Sequence, residues 1–206
     1  MTQPQPLPNA REKLLAAAVR LVREKGYDAT SVDSLCEVAG VTKGAFFHHF
    51  KSKDELAVAA SQFWTVNTAK LFAEAEYNKF EDPLDQLIGY VDFRIQLLQG
   101  STLPQCTCLL GTMVQEKFET SPAIRDACYD GIQFHAAEVG KMIAAAKMLH
   151  APQASWSVES LALYTQAVIQ GAFVLAKAKN DVALAADMVL NLRRYIELLF
   201  HHAKED

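Results

Sequence analysis

Apolar residues recur at three- and four-residue intervals along most of the chain, and no segment shows a convincing period-2 alternation of a half-buried strand. Leu14, Leu15, Ala18, Val19 and Val22 form one such stripe. It predicts a helix over residues 10–25, with Asn9 as N-cap, Glu12 completing a capping box and Gly26 closing the last turn. A short helix follows over 31–38, capped by Thr30 with Asp33 as its acidic third residue, and turns Val32, Leu35, Cys36 and Ala39 inward. Ala39-Gly40-Val41 is a tight turn. Thr42 caps a third helix over 43–49, and Ser52 with Glu55 starts a long fourth one reaching residue 78.

Proline and glycine punctuate the remainder. Pro83 opens a helix over 84–99 that Gly100 ends, and Pro104 opens another reaching 118. Ser121-Pro122 starts a long helix to 149, and HAPQAS reads as a loop. Helices over 156–178 and 182–203 finish the chain, broken by Asn180-Asp181. The expectation is an all-α protein of nine helices. A lead-in over 1–9, rich in Pro and Gln and read as disordered, precedes a three-helix unit over 10–52. A helical bundle over 53–206 follows.

Composition narrows the class. Half of the 206 residues are hydrophobic, enough for a sizeable core. There is no uninterrupted run of 18 apolar residues and no apolar stretch after a basic start, so neither a membrane span nor a signal peptide is expected. A cytoplasmic location follows, with Cys36, Cys106, Cys108 and Cys128 as reduced thiols. Net charge is −4, but it is unevenly spread. Residues 1–53 hold eight Lys/Arg against five Asp/Glu, and residues 54–206 hold twelve against nineteen. The positive excess therefore sits with the three short helices.

Two short helices joined by a glycine-containing turn form a helix-turn-helix. Phe46 and Phe50 are four residues apart and belong to the buried face. Lys43, Gly44, Phe47 and His48 lie on the other side. An outward phenylalanine is poor core design, yet it suits a thymine methyl or a sugar. Lys43 and His48 suit phosphates or base edges, and Gly44 permits close approach of the backbone. Thr42 leaves the helix N-terminus open to a phosphate. Lys51 and Lys53 would hold the DNA backbone.

The segment TSVDSLCEVAGVTKGAFFHHFKSKDEL resembles the N-terminal DNA-binding domain of the TetR family of transcriptional regulators. Turn glycine, TKG, aromatic pair, HHF and KSKDEL occur in order, and the likeness spans roughly residues 10–56. The family usually has tyrosine where this chain has Phe47, so a phosphate hydrogen bond is missing there. The resemblance implies a homodimer that places its third helices in successive major grooves of a palindromic operator, and a small-molecule effector pocket in the C-terminal bundle. The candidate DNA-contacting residues are Thr30, Ser31, Thr42, Lys43, Gly44, Phe47, His48, Lys51 and Lys53.

In the last two helices, Leu161, Tyr164, Ala167, Val168, Gly171, Phe173 and Leu175 nearly encircle one. Ala185, Met188, Val189, Leu192, Ile196 and Leu199 stripe the other. A helix apolar all round needs cover, and a partner subunit is one source. Candidates for a ligand pocket are Phe93, Gln96, Leu97, Cys108, Met113, Phe134 and Gln170. Cys106 and Cys108, placed at the start of the sixth helix, offer an alternative as electrophile- or redox-sensing thiols. His48-His49 lacks the spacing of a metal pair, His201-His202 reads as a solvated end, and no metal or cofactor is expected. Rival readings are an enzyme using a cysteine with His135, which lacks an accompanying oxyanion or phosphate loop, and an adaptor that binds another protein.

Overall fold

Helix ends are set by local signals, and a computed structural model of the chain shows them in operation over residues 9–202. The lead-in over 1–8 and residue 203 of the expected last helix lie outside the described residues. Helix α1 spans Ala10–Lys25. Asn9 Oδ1 accepts the Glu12 N–H at 3.0 Å while Glu12 returns its carboxylate to the Asn9 N–H at 3.0 Å. Helix α2 spans Val32–Ala39 and is capped by Ser31, not Thr30. Ser31 Oγ accepts from the Ser34 N–H, whereas the Thr30 hydroxyl is turned back onto the Gly26 carbonyl. Gly40 ends α2 in the left-handed region at φ 63°, and α3 (Lys43–His49) follows.

Helix α4 spans Lys53–Ala73, five residues short of the expected end. A single 3₁₀ turn, Glu76–Lys79, replaces its last turn. The Tyr77 hydroxyl and the Asn78 amide both donate to the Phe72 carbonyl, and Asn78 also reaches the Ala73 and Ala75 carbonyls. These side chains satisfy the carbonyls a further helical turn would have used. Helix α5 is Pro83–Gln99. The expected sixth helix is divided into α6 (Leu103–Cys106) and α7 (Leu109–Lys117) by extended backbone at Thr107. Helices α8 (Pro122–His150), α9 (Val158–Lys179) and α10 (Val182–His202) complete ten α-helices, one more than expected, with no strand among the described residues.

The chain divides into two compact units, Met1–Trp64 with Leu109–Tyr129, and Thr65–Cys108 with Asp130–Asp206. The first therefore includes α7 and the first residues of α8, beyond the boundary drawn at residue 52. Its core holds Leu14, Leu15, Leu35, Phe46, Phe50, Leu56 and Met113. Cys36 is buried there as well. In the second unit α10 packs against both α9 and α5. Ala185, Val189, Leu192 and Ile196 are its buried stripe. Helix α9 is long and apolar enough to cross a membrane by length and composition, but Leu161, Thr165, Ile169 and Ala176 are buried within the protein.

Candidate nucleic-acid interface

The helix-turn-helix face follows from how α3 is anchored. Phe46 is fully buried, Phe50 nearly so, and Phe47 is 58% exposed. The Phe47 ring stands edge-on to Phe46 with centroids 5.1 Å apart, so it is oriented without being covered. Thr42 Oγ1 accepts the Ala45 N–H at 3.1 Å and fixes the start of the helix. Thr42, Lys43, Gly44, Phe47 and His48 are all exposed. A methyl at Gly44 would meet only Thr42 Oγ1, at 3.7 Å, so its outer side is open. His49 closes α3 with its ring beside those of His48 and Phe50.

Lys43 forms an exposed ion pair with Asp33 at 2.6 Å, which raises its pKa chiefly through that hydrogen bond. The pair fixes the ammonium between α2 and α3. Its worth to stability is small because both partners face water. Ser31 and Lys51 are exposed, with the Lys51 N–H given to Glu55 Oε2 at 2.8 Å.

Two expected contacts are placed otherwise. Thr30 is 1% exposed and its hydroxyl donates to the Gly26 carbonyl at 2.7 Å, so its side chain presents nothing to DNA. Lys53 turns inward: Nζ donates to the Tyr27 and Thr30 carbonyls, each at 3.0 Å, and lies 4.0 Å from the Tyr27 ring centroid. Burial lowers its pKa. In this geometry Lys53 braces the loop between α1 and α2 and does not reach outward to phosphate.

That brace is part of a network. The Tyr27 hydroxyl donates to Asp54, and Ser121 donates to the other Asp54 oxygen at 3.0 Å. Burial and the Asp54 carboxylate raise the Tyr27 pKa, while the same hydrogen bond lowers that of Asp54. Glu116 of α7 accepts the Tyr27 and Asp28 N–H groups at 3.0 and 2.8 Å, and Lys117 pairs with Asp28 at 3.3 Å. Sequence reading did not find Arg11 either. It is exposed, with its guanidinium 5.5 Å from the Phe50 ring centroid, and adds a cation near the end of α3. A lone arginine in a first turn gave no signal of this.

The sequence pattern described as bacterial regulatory proteins, tetR family, matches residues 14–60, which contain α2, α3 and the start of α4. That segment of the chain is similar to the DNA-binding segment of the TetR family. The chain is 32% identical over 111 residues to the HTH-type transcriptional regulator AcrR of Shigella flexneri, covering 53% of this chain and 49% of that one. It is 26% identical over 148 residues to an uncharacterized HTH-type transcriptional regulator, YerO, of Bacillus subtilis, covering 64% and 51%. The chain thus spans about half the length of these curated relatives. Solved TetR-family structures share the fold across the chain. One from Agrobacterium tumefaciens superposes with a TM-score of 0.78 at 18% identity, covering 90% of this chain and 96% of that one. A regulatory protein TetR from Rhodobacter sphaeroides gives 0.79 at 22%, covering 90% and 97%.

The expected pocket residues are only partly brought together. Phe93 stands edge-on to Phe72 at 5.6 Å, and Leu97 and Cys108 pack on the core of the second unit. Gln96 and Phe134 are exposed, and Gln170 is half-buried. Met113 belongs to the core of the first unit and cannot be counted with the others. Cys106 ends the four-residue α6 and donates its thiol hydrogen to the Leu103 carbonyl at 3.3 Å; Cys108 precedes α7. Cys106 closes a helix where it was expected to open one, so the argument from an activating helix terminus is lost for it, while Cys108 stands directly before the first residue of α7.

What sequence reading missed in the second unit is a polar cluster among aromatic rings. Tyr90 and Arg94 of α5 meet His135 of α8. Arg94 Nε donates to the Tyr90 hydroxyl at 3.1 Å, Arg94 Nη2 lies 2.6 Å from His135 Nε2, and Tyr90 Oη lies 3.0 Å from the same nitrogen. Because Arg94 is a donor only, Nε2 is the acceptor and the imidazole is neutral. Burial, reinforced by the adjacent guanidinium, lowers the His135 pKa to about 3.

Proposed function

We propose that the chain is a DNA-binding transcriptional regulator that acts as a homodimer on a palindromic operator and releases it when a small molecule occupies the helical bundle. The observation that carries this reading is the exposed, oriented face of α3, with Phe47 held outward beside Lys43, Gly44 and His48. These residues read the major groove. Thr42, Ser31, Lys51 and Arg11 set register against the phosphates. The name of the AcnR repressors of Corynebacterium supports repression as the mode of action.

Dimerisation is supported by an uncovered apolar stripe on α9. Tyr164, Ala167, Gly171 and Leu175 follow helical spacing and are all exposed in the single chain, and Tyr195 and Leu198 of α10 are exposed beside them in the same unit. A second copy would cover these residues, and binding to successive major grooves requires its α3 and the first copy's to stand roughly 34–36 Å apart. Effector binding then acts by population shift: a ligand held more tightly in one conformation moves the two α3 helices off that spacing.

The test is selection of genomic fragments by the purified protein, followed by footprinting at low and moderate salt. A shared palindrome protected at moderate salt is the expected result. Retention at low salt alone, without a common motif, would reject the regulator in favour of unspecific attraction to the basic end.

A further inference from the structure

We propose that Arg94, positioned by Tyr90 and His135, binds the carboxylate of a small monoanionic effector whose apolar body lies against Phe93 at the edge of the Phe72–Phe93 aromatic cluster. The proposal rests on the reading of the chain as a ligand-responsive regulator and names the ligand class of its bundle.

The argument begins with an unmatched charge. Among the described residues no carboxylate pairs with Arg94; its contacts are the Tyr90 hydroxyl, His135 Nε2 and the faces of Phe72 and Tyr90. The other arginine of the same unit that reaches into packed surroundings, Arg193, is held by both Asp92 and Glu197. A cation drawn half out of water against rings 4.3 and 5.5 Å away, without a counter-ion, attracts an anion.

The donor set agrees. Nε and Nη2 are engaged, which leaves the Nη1 hydrogens without an acceptor among the described residues. His135 is neutral, so a single positive charge faces the site and a monoanion matches it better than a doubly charged phosphate. Arg94 and His135 both keep partial exposure, so the guanidinium is reachable. The surroundings set the rest of the ligand: Phe72 lies 5.6 Å from Phe93, 5.7 Å from Tyr90 and 4.9 Å from His135, ring to ring. Phe72 and Tyr90 are buried, and the partly exposed Phe93 beside them is the ring that meets an aromatic or aliphatic body with few polar atoms.

Calorimetry on the purified full chain decides the matter, using benzoate, cinnamate and octanoate, each beside its primary amide. The acid and its amide have nearly the same shape and differ in charge. At least one acid should bind tenfold or more tightly than its amide. Arg94→Gln should bring that pair within twofold, and Arg94→Lys should keep part of the preference. Acids that bind no better than their amides overturn the proposal, and so does a preference that survives in Arg94→Gln. The comparison on the unaltered protein stands even where Arg94→Gln fails to fold. Operator binding is scored separately on unliganded protein: its absence rejects the regulator, while intact operator binding with no acid preference rejects only the anion site.

Discussion

The ammonium of Lys53 lies 4.0 Å from the centroid of the Tyr27 ring and donates to that residue's carbonyl at 3.0 Å. A lysine in a KSKDEL run next to α3 reads as a phosphate contact, and its neighbour Lys51 is exposed. Lys53 instead satisfies two carbonyls of the α1–α2 loop. Lys53→Ala should therefore cost about 1–3 kcal/mol of stability, chiefly from the Thr30 carbonyl left without that donor, since the Tyr27 carbonyl keeps the Thr30 N–H. It should leave the salt slope of operator binding unchanged. Lys51→Ala should spare stability and reduce the slope by about 0.9 per protomer, about 1.8 for the bound dimer. Urea titration and salt-dependent binding of the two variants separate the roles, and a lowered slope for Lys53→Ala would return it to the DNA.

Adjacent aromatic residues divide in the same way. Phe46 is wholly buried and Phe47 is 58% exposed. Phe46→Ala should cost about 3–5 kcal/mol. Phe47→Ala should change stability by about 0.5 kcal/mol or less while altering which operator sequence is preferred. Phe47→Tyr should tighten binding to every sequence alike, by adding a hydroxyl within reach of phosphate. Denaturation midpoints and selection on randomised operators measure both effects. An unchanged preference in Phe47→Ala would remove that ring from base contact.

These contrasts mark what was legible. Helices α1 and α3 and the Phe46/Phe50 core face follow from caps and four-residue spacing, which are local properties of the chain. The stop at Ala73 was not legible, because it depends on Tyr77 and Asn78 folding back onto the Phe72 carbonyl, and the composition before them is good helix former. The break at Thr107 likewise carries no proline or glycine of its own. At the bundle site, Tyr90 and Arg94 are four residues apart and visibly share a face. His135 reaches them from α8 only through tertiary packing, so the cluster was invisible as a set.

Gly26 and Gly40 both have positive φ but different surroundings. Gly40, at φ 63° and ψ 40°, has nothing within 4 Å of an added methyl. Gly26, at φ 89° and ψ 166°, lies in a region nearly restricted to glycine. A methyl there would come within 2.6 Å of Glu116 Oε1, the atom that accepts the Tyr27 N–H. Gly40→Ala should cost about 1–2 kcal/mol from backbone strain alone. Gly26→Ala should cost more, since moving Glu116 also releases the Tyr27 and Asp28 N–H groups. Glu116→Ala in the Gly26→Ala background should recover part of the steric loss. Equal midpoints for the two glycine variants would contradict this account.

Gly171 offers a clean probe of assembly. An added side chain there meets nothing within 4 Å in the single chain, yet the residue lies mid-stripe between Ala167 and Leu175. Gly171→Glu should leave helical content intact and even remove a glycine from a helix interior, a change of about 1 kcal/mol in its favour. Across a two-fold contact it buries like charges, so the variant should sediment as a monomer and lose operator affinity. Sedimentation velocity decides; a variant that remains dimeric places the interface elsewhere.

The neutral His135 sets a pH dependence whose sign is fixed. In the unfolded chain its imidazole takes a proton near pH 6.5, whereas in the fold burial and Arg94 delay protonation to about pH 3. Between those values the unfolded state binds more protons. His135 thus contributes nothing to pH dependence above 6.5, and stability drains away as the pH falls from 6.5 toward 3, by at most about 1.4 kcal/mol per pH unit. His135→Gln keeps an acceptor for Arg94 but has no proton to gain. Urea midpoints from neutral pH downward should therefore fall more steeply for the unaltered protein than for the variant. The His150–Asp82 contact is common to both proteins and cancels in the difference. Parallel curves would mean that the folded imidazole protonates as readily as the unfolded one, and Arg94 would then face a second cation.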